Sequence, residues 1–326
     1  MNSTFFFTFF RLGIRQYTEV ETQMTSVERV VEFGNLEKEN LDGCEIIPDE
    51  TWPEKGELTF NDVTLEYSFI NNETGEQERR KVLKNLSFTV TGGEKIGIVG
   101  RTGAGKSSLI TALFRLTQPT GIIKIDGYDT GKMSLTKLRN ILSIIPQEPI
   151  LFSGSVRRNL DPFGKNDDEK IWEALSKVQL ATKVRELPQS LDSECGNDFS
   201  VGQKQLICLA RAILRNNKIL ILDEATANVD PRTDSMIQSS IRSEFVNSTV
   251  LTIAHRLNTV IDYDRILVLD QGQISQFDTP YALIRQKSGI FFELFTNLNA
   301  ETRRELKKQA YDAEQRRLTK QLHSEI

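Results

Sequence analysis

The sequence predicts an α/β domain built on a parallel sheet flanked by helices, and three observations predict it. The run Gly100-Arg101-Thr102-Gly103-Ala104-Gly105-Lys106-Ser107 fits G-x-x-x-x-G-K-[ST]. Residues 95–99 ahead of it form a short apolar run, and Leu109, Ile110, Leu113, Phe114 and Leu116 behind it recur at helical spacing. From 203 to 270, helical patterns alternate with apolar runs at 219–222, 249–253 and 266–269. That alternation is the pattern of parallel strands buried on both faces.

At 326 residues the chain has room for one large α/β domain or two modest ones. It is 38% hydrophobic and 26% charged, enough apolar content for a real core. A net charge of −4 supplies no basic excess to offset phosphate, so no nucleic-acid partner is expected. Cys44, Cys195 and Cys208 are odd in number and lack metal-ligand spacing, which fits a reducing compartment, with Cys208 as a small core residue.

Taken in order, the amino terminus carries Phe5-Phe6-Phe7-Thr8-Phe9-Phe10, followed by Arg11 and Arg15. A spanning helix needs roughly 20 apolar residues, so this run alone cannot cross a bilayer. No basic residue precedes it, which argues against a signal peptide. It is either an irregular exposed tail or the last turns of a membrane helix. The next stretch favours the second, because Val20, Met24, Val27 and Val31 make one apolar helical stripe among Glu19, Glu21, Glu28, Arg29 and Glu32. Residues 34–56, with Gly34, Gly43, Pro48, Pro53 and Gly56 among scattered acids, read as a linker.

From Glu57, Leu58, Phe60, Val63, Leu65 and Tyr67 alternate as in one or two strands. Residues 71–81 are polar and predict a hairpin loop, and 82–99 supply two more strands. Between Pro162 and Pro188 lies a helix that Asn166 or Asp167 can cap, with Ile171, Trp172, Leu175 and Val178 on its apolar face. From Asn297 onward the chain is charged, predicting an exposed helix or a disordered tail.

The chemistry follows from where these patterns place polar residues. The glycines of 100–105 let backbone N–H groups curl around an anion at a helix start, and Lys106 would reach the β- and γ-phosphates of a nucleoside triphosphate. Ser107 would coordinate Mg²⁺. Asp223 and Glu224 end an apolar strand, where open α/β sheets place ligands. Asp223 is thereby set to hold Mg²⁺, and Glu224 to orient the attacking water and take its proton. Standing alone, the two acids could simply mark a strand end in solvent. His255 also follows a predicted strand and could donate to the γ-phosphate, the alternative being a core histidine. Ser200 and Gly202 precede a helix through Leu206, Ile207, Leu209, Ala210 and Ile213. They are either a plain N-cap or donors for a second anion, and the residues leave both open.

The order Tyr67, Gly100 to Ser107, Gln147, Ser200 to Gln203, Asp223-Glu224 and His255 resembles an ATP-binding cassette domain over residues 56–298. Pro146-Gln147-Glu148-Pro149, Asn159-Leu160-Asp161-Pro162-Phe163 and Asp223 through Asp230 resemble the C subfamily, the multidrug resistance-associated proteins, and its second cassette in particular. The resemblance implies a P-loop NTPase (RecA-like) core with an antiparallel β subdomain and an inserted α-helical subdomain at about 148–202, the whole at 57–298. Residues 1–33 would be the cytosolic end of a truncated transmembrane helix, 34–56 a linker and 299–326 a charged tail.

By the same resemblance, Tyr67 stacks on adenine (Phe69 is an alternative), and Gly100, Arg101, Thr102, Gly103, Ala104, Gly105, Lys106, Ser107 and Ser108 hold ATP. Gln147 joins Ser107 and Asp223 at Mg²⁺ and links them to membrane domains, while Glu224 and His255 serve hydrolysis. Ser200, Gly202 and Gln203 close on ATP held by a second cassette, and Asp230 joins the two sites. Val201 stands where the family more often has glycine, and 192–198 is shorter than the family's stretch and lacks its glycine pair.

The expected activity is ATP hydrolysis driving export of organic anions at the cytoplasmic face of a membrane, the plasma membrane being expected. The alternative is an ATP-binding module without turnover until paired. No N-K-x-D stretch reads a guanine base, and a soluble cassette acting on ribosomes or DNA would need a second cassette or a long insertion. Ser324-Glu325-Ile326 fits the terminus that PDZ domains capture by strand addition.

Overall fold

The structure, a computed structural model, describes residues 2–36, 39, 49, 51–70, 75, 77–196, 198–225, 229–254 and 256–324. It divides into two compact units, Met1–Leu41 and Asp42–Ile326. The first is one helix, α1 (Asn2–Gly34). The aromatic run is helical, not an irregular tail, and Phe5 and Phe9 meet one turn apart at 5.4 Å between ring centroids. Among the described residues no helix is long and apolar enough to cross a membrane.

In the second unit β1 (Leu58–Ile70), β2 (Gln77–Val90) and β3 (Lys95–Gly100) lead into α2 (Lys106–Leu113). Then come β4 (Thr120–Ile125), β5 (Tyr128–Asp129), α3 (Leu135–Ile141) and β6 (Leu142–Ile145). Four helices follow, α4 (Val156–Leu160), α5 (Asp168–Lys177), α6 (Ala181–Arg185) and α7 (Val201–Arg215). The chain continues through β7 (Ile219–Asp223), α8 (Pro231–Glu244), β8 (Thr249–Ile253), β9 (Arg265–Asp270) and β10 (Gln273–Asp278). It closes with α9 (Pro280–Gln286), α10 (Ile290–Thr296) and α11 (Ala300–Ser324).

These strands form two sheets. One is antiparallel, in the order β2-β1-β4-β5, and the other runs β10-β9-β3-β8-β7-β6 with only β10 antiparallel to its neighbour. The central parallel strands are apolar along their length because helices or the other sheet cover both faces. Phe60 and Phe88 stack 4.4 Å apart inside the core that joins the two sheets. A second core gathers α4 to α7 around Val156, Leu175 and Leu206, and a third packs α9 to α11 under Leu283, Phe291 and Leu306.

Asp167, not Asn166, caps α5, accepting from the Lys170 N–H. The sequence pattern leaves β4, β6 and β10 unmarked, and four of its readings change. The helix behind the glycine loop stops at Leu113, since Arg115 turns left-handed (φ 48°) and leaves Leu116 exposed. The expected loop over 71–81 is shorter, because β2 starts at Gln77 and pairs Gln77 to Lys81 with Ile70 to Glu66. Its charged side chains stay in solvent while the ladder satisfies the backbone.

The charged segment from 299 takes the helical of its two expected forms but is not exposed throughout, since Leu306 and Ala310 are buried against the third core. Glu325 and Ile326 of the terminal motif lie outside the described residues. Finally, the expected linker ends before Thr51. Trp52 is only 6% exposed and its indole Nε1–H donates to the Ile125 carbonyl at 3.2 Å. The Asp126 carboxylate accepts from the N–H groups of Lys55, Gly56 and Glu57. Burial of so large an aromatic surface holds this stretch in place. Trp52→Ala is expected to lower the unfolding free energy by about 3–5 kcal/mol, read from urea denaturation, whereas a loose linker would show no change.

Candidate nucleotide site

Residues 100–105 run from the end of β3 to the start of α2. Gly105 takes a left-handed φ of 101° directly before that helix, where a Cβ would lie 2.9 Å from Leu83 Cδ2 of β2. The loop is also held from outside. Gly272, in the turn between β9 and β10, donates its N–H to the Ala104 carbonyl at 3.1 Å and accepts at its own carbonyl from the Lys84 N–H at 2.8 Å. Gly272 has φ +80°, and a Cβ there would fall 2.0 Å from the Val82 carbonyl oxygen. Thr102, Gly103 and Ser107 face solvent, as an anion-binding concavity requires. The exposed Arg101 pairs with Glu293 of α10 at 3.0 Å.

Lys106 is buried, and its Nζ donates to the Gly100 carbonyl at 3.0 Å and the Arg101 carbonyl at 3.4 Å. Burial pushes its pKa below the ordinary lysine value, and the charges of Glu224 and Asp223 oppose that shift. The three predicted residues therefore share one electrostatic site. Asp223 is the last residue of β7, and Glu224 follows at φ 48°, its N–H donating to the Ile253 carbonyl at 3.2 Å. A non-glycine residue held left-handed at a strand end is stored strain of the kind found at functional sites. A cavity of about 260 Å³ opens beside Glu224, lined also by Gln238, Thr252, Arg256 and Thr259.

Among the described residues no three His, Cys, Asp or Glu gather into a cage for a metal. Mg²⁺ does not need one, since it binds through one or two carboxylates and completes its shell with phosphate oxygens and water. The hard oxygen donors of Ser107 and Asp223 fit that pattern. Gln147 is exposed two residues past β6, and the preceding Pro146 carbonyl accepts from Gln205 Nε2 at 2.8 Å. Tyr67 is half-buried and its hydroxyl donates to Ser108 Oγ at 3.5 Å, at the edge of hydrogen-bond range, while Phe69 lies further out and exposed.

The serine and glycine before α7 form a true cap. Ser200 Oγ accepts from the Gln203 N–H at 3.2 Å, and Gln203 Oε1 accepts from the Ser200 N–H at 3.0 Å, a reciprocal capping box. Among the described residues neither side chain hydrogen-bonds to the phosphate loop. Gly202 packs on Thr233 of α8, where a Cβ would sit 3.0 Å from Thr233 Cγ2. Asp230 caps α8 by accepting from the Thr233 N–H at 3.0 Å, which holds its carboxyl below the usual range. His255 lies outside the described residues. Sequence reasoning missed Gln205 and Gly272; the only mark of Gln205 is a polar residue inside the apolar stripe of α7.

Comparison with known proteins bears on this geometry. A family model described as ABC transporter matches residues 83–227. ATP-binding cassette sub-family C member 4 of Mus musculus is 51% identical over 292 residues, covering 89% of this chain and 21% of the relative. The ATP-dependent bile acid permease of Saccharomyces cerevisiae is 45% identical over 306 residues, covering 86% of this chain and 18% of the permease. Among solved structures, a bacterial Atm1-family ABC exporter with ATP bound superposes with a TM-score of 0.72 at 30% identity, over 86% of this chain and 48% of the exporter. The chain thus spans about a fifth of the length of the curated relatives it matches.

Two outcomes follow from the packing and charge. Gly272→Ala forces a Cβ into the Val82 carbonyl and is expected to lower both thermal stability and nucleotide affinity, although the residue is remote in sequence from the loop. An unchanged melting temperature and affinity would contradict this. The second concerns Lys106, whose pKa is lowered on folding. Between the lowered value and the unfolded 10.5, the unfolded chain holds the extra proton, so this group makes stability rise with pH across that window. Lys106→Met is expected to flatten that rise in denaturation series taken toward pH 10.5.

Proposed function

The chain belongs to the ABC transporter family, and on that premise we propose that it binds and hydrolyses ATP as the cassette of an exporter. One observation carries the reading: Lys106 is buried on its own glycine loop within reach of the charges of Asp223 and Glu224 at the end of a parallel strand. The incoming triphosphate takes the N–H groups of 100–105 and draws Lys106 Nζ from the Gly100 and Arg101 carbonyls onto its β- and γ-oxygens. Tyr67 stacks on the base. Ser107 and Asp223, with Gln147 beside them, would hold Mg²⁺, which when bound neutralises charge on the β- and γ-phosphates.

Glu224 orients a water against the γ-phosphorus and takes its proton as the bond to ADP breaks. His255 donates to the γ-phosphate. Ser200, Gly202 and Gln203 present the N-terminus of α7 to ATP held by a second cassette, and Asp230 ties that surface to α8. In such a pair each ATP needs residues from both cassettes, so one cassette supplies half of each site.

The wider assignment rests on relatives much longer than this chain. We place the cassette at the cytoplasmic face of a membrane, the plasma membrane, with α1 as the cytosolic end of a membrane helix and Gln147 as the link to membrane domains. The substrate class is organic anions, the class to which the bile acids named for the yeast permease belong.

The test is ATP binding and steady-state hydrolysis by the full chain over a wide range of protein concentration. Turnover is expected to rise faster than linearly with concentration. Glu224→Gln should keep binding and lose turnover by about 100-fold or more, and Lys106→Ala should lose binding. Binding without turnover at any concentration would favour the module that needs a partner cassette; no binding would overturn the reading.

A further inference from the structure

The β1–β2 hairpin carries more than the aromatic residue already assigned. Its register sets Tyr67 opposite Arg80, Ser68 opposite Arg79 and Glu66 opposite Lys81. Residues directly opposite in an antiparallel pair project from the same face, with Cβ atoms about 4.5–5.5 Å apart, and successive residues alternate. Tyr67 faces the phosphate loop, because its hydroxyl reaches Ser108. Arg80 therefore lies on that face too, beside the Tyr67 ring, while Arg79 and Lys81 project from the other. Lys81 pairs there with Glu66 at 3.6 Å. Arg80 is exposed and enters no ion pair among the described residues.

Its position is also fixed. Leu83, three residues further along β2 and across one register shift, lies where a Cβ on Gly105 would meet it, and the Val82 carbonyl and Lys84 N–H abut Gly272. The strand that carries Arg80 is thereby registered against the loop, and Arg80 stands level with Tyr67, outward of the residues that would cradle phosphate. A planar guanidinium stacks on aromatic rings and donates to acceptors on their edges.

We propose that Arg80 is a nucleotide-binding residue that contacts the base beside Tyr67, so that an aromatic ring and a guanidinium together hold it. This rests on the nucleotide reading above. Stacking of this kind depends on the base and not on the number of phosphates, which separates it from simple attraction of a cation to a polyphosphate.

The experiment is displacement of a fluorescent ATP analogue from the full chain by ATP and by ADP. Arg80→Ala is expected to raise the dissociation constants of both by the same factor, about three- to tenfold, with Arg80→Lys recovering part of the loss. Arg79→Ala removes an equal charge from the opposite face and should change neither. Both positions are exposed, so matching melting temperatures exclude a folding effect. Wild-type binding that Arg80→Ala leaves unchanged, or that Arg79→Ala weakens equally, overturns this proposal alone. So does a loss that is larger for ATP than for ADP, which would put the contact on phosphate. A wild type that binds no nucleotide overturns the proposed function and this proposal together.

Discussion

The phosphate loop is held between two sheets by one turn, and the rest of the site is built out from that contact. Gly272 meets the Ala104 carbonyl on one side and the Lys84 N–H on the other, so the β9–β10 turn pins the loop of the parallel sheet to β2 of the antiparallel sheet. No side chain can occupy this point, given the 2.0 Å approach of a Cβ to the Val82 carbonyl. The β1–β2 hairpin carries Tyr67, so the residues proposed to hold base and phosphate stand on elements that share one anchor. A ligand bridging them meets a preset spacing, and little ordering is left to oppose binding.

Charge organises the inner half of the site. A buried ammonium is costly unless partners face it, and Lys106 has two loop carbonyls and the fields of two carboxylates. The two carbonyls hold the lysine within the loop, and the phosphate oxygens of the proposed ligand would be stronger, charge-assisted acceptors. The carboxylates are fixed by their strand end, with Glu224 held in its left-handed backbone by the Ile253 carbonyl.

Much of this was legible in the sequence, for reasons that are local. The glycine loop, the strand before it and the helix after it are contiguous, and the strands at Ile219, Thr249 and Arg265 are buried on both faces and so written as apolar runs. What escaped depends on partners far along the chain. The short strands β4 and β6 lack a pattern strong enough to mark them. Trp52 looks like linker until Ile125 and Tyr128 are brought beside it. In the terminal helix, Leu306 and Ala310 are lost among charges, and only the third core shows that this face is covered. Gly272 is one glycine in an unremarked turn until the fold sets Val82 against it.

The segment before α7 shows why a cap and a ligand site are not rival readings. The capping box satisfies two backbone donors of the first turn and leaves the remaining ones, with the positive end of a 15-residue helix, directed outward. The local hydrogen bonds thus fix the loop without exhausting what the helix terminus can bind. Gly202 rests on Thr233, which in turn is held by Asp230. Any group that displaces this terminus pushes on the start of α8, and α8 follows β7 through a loop whose first residue is Glu224. The segment Ser200 to Gln203, proposed to meet a second cassette, and Glu224, proposed to act on ATP, are therefore both neighbours of one helix start, the first in space and the second along the chain.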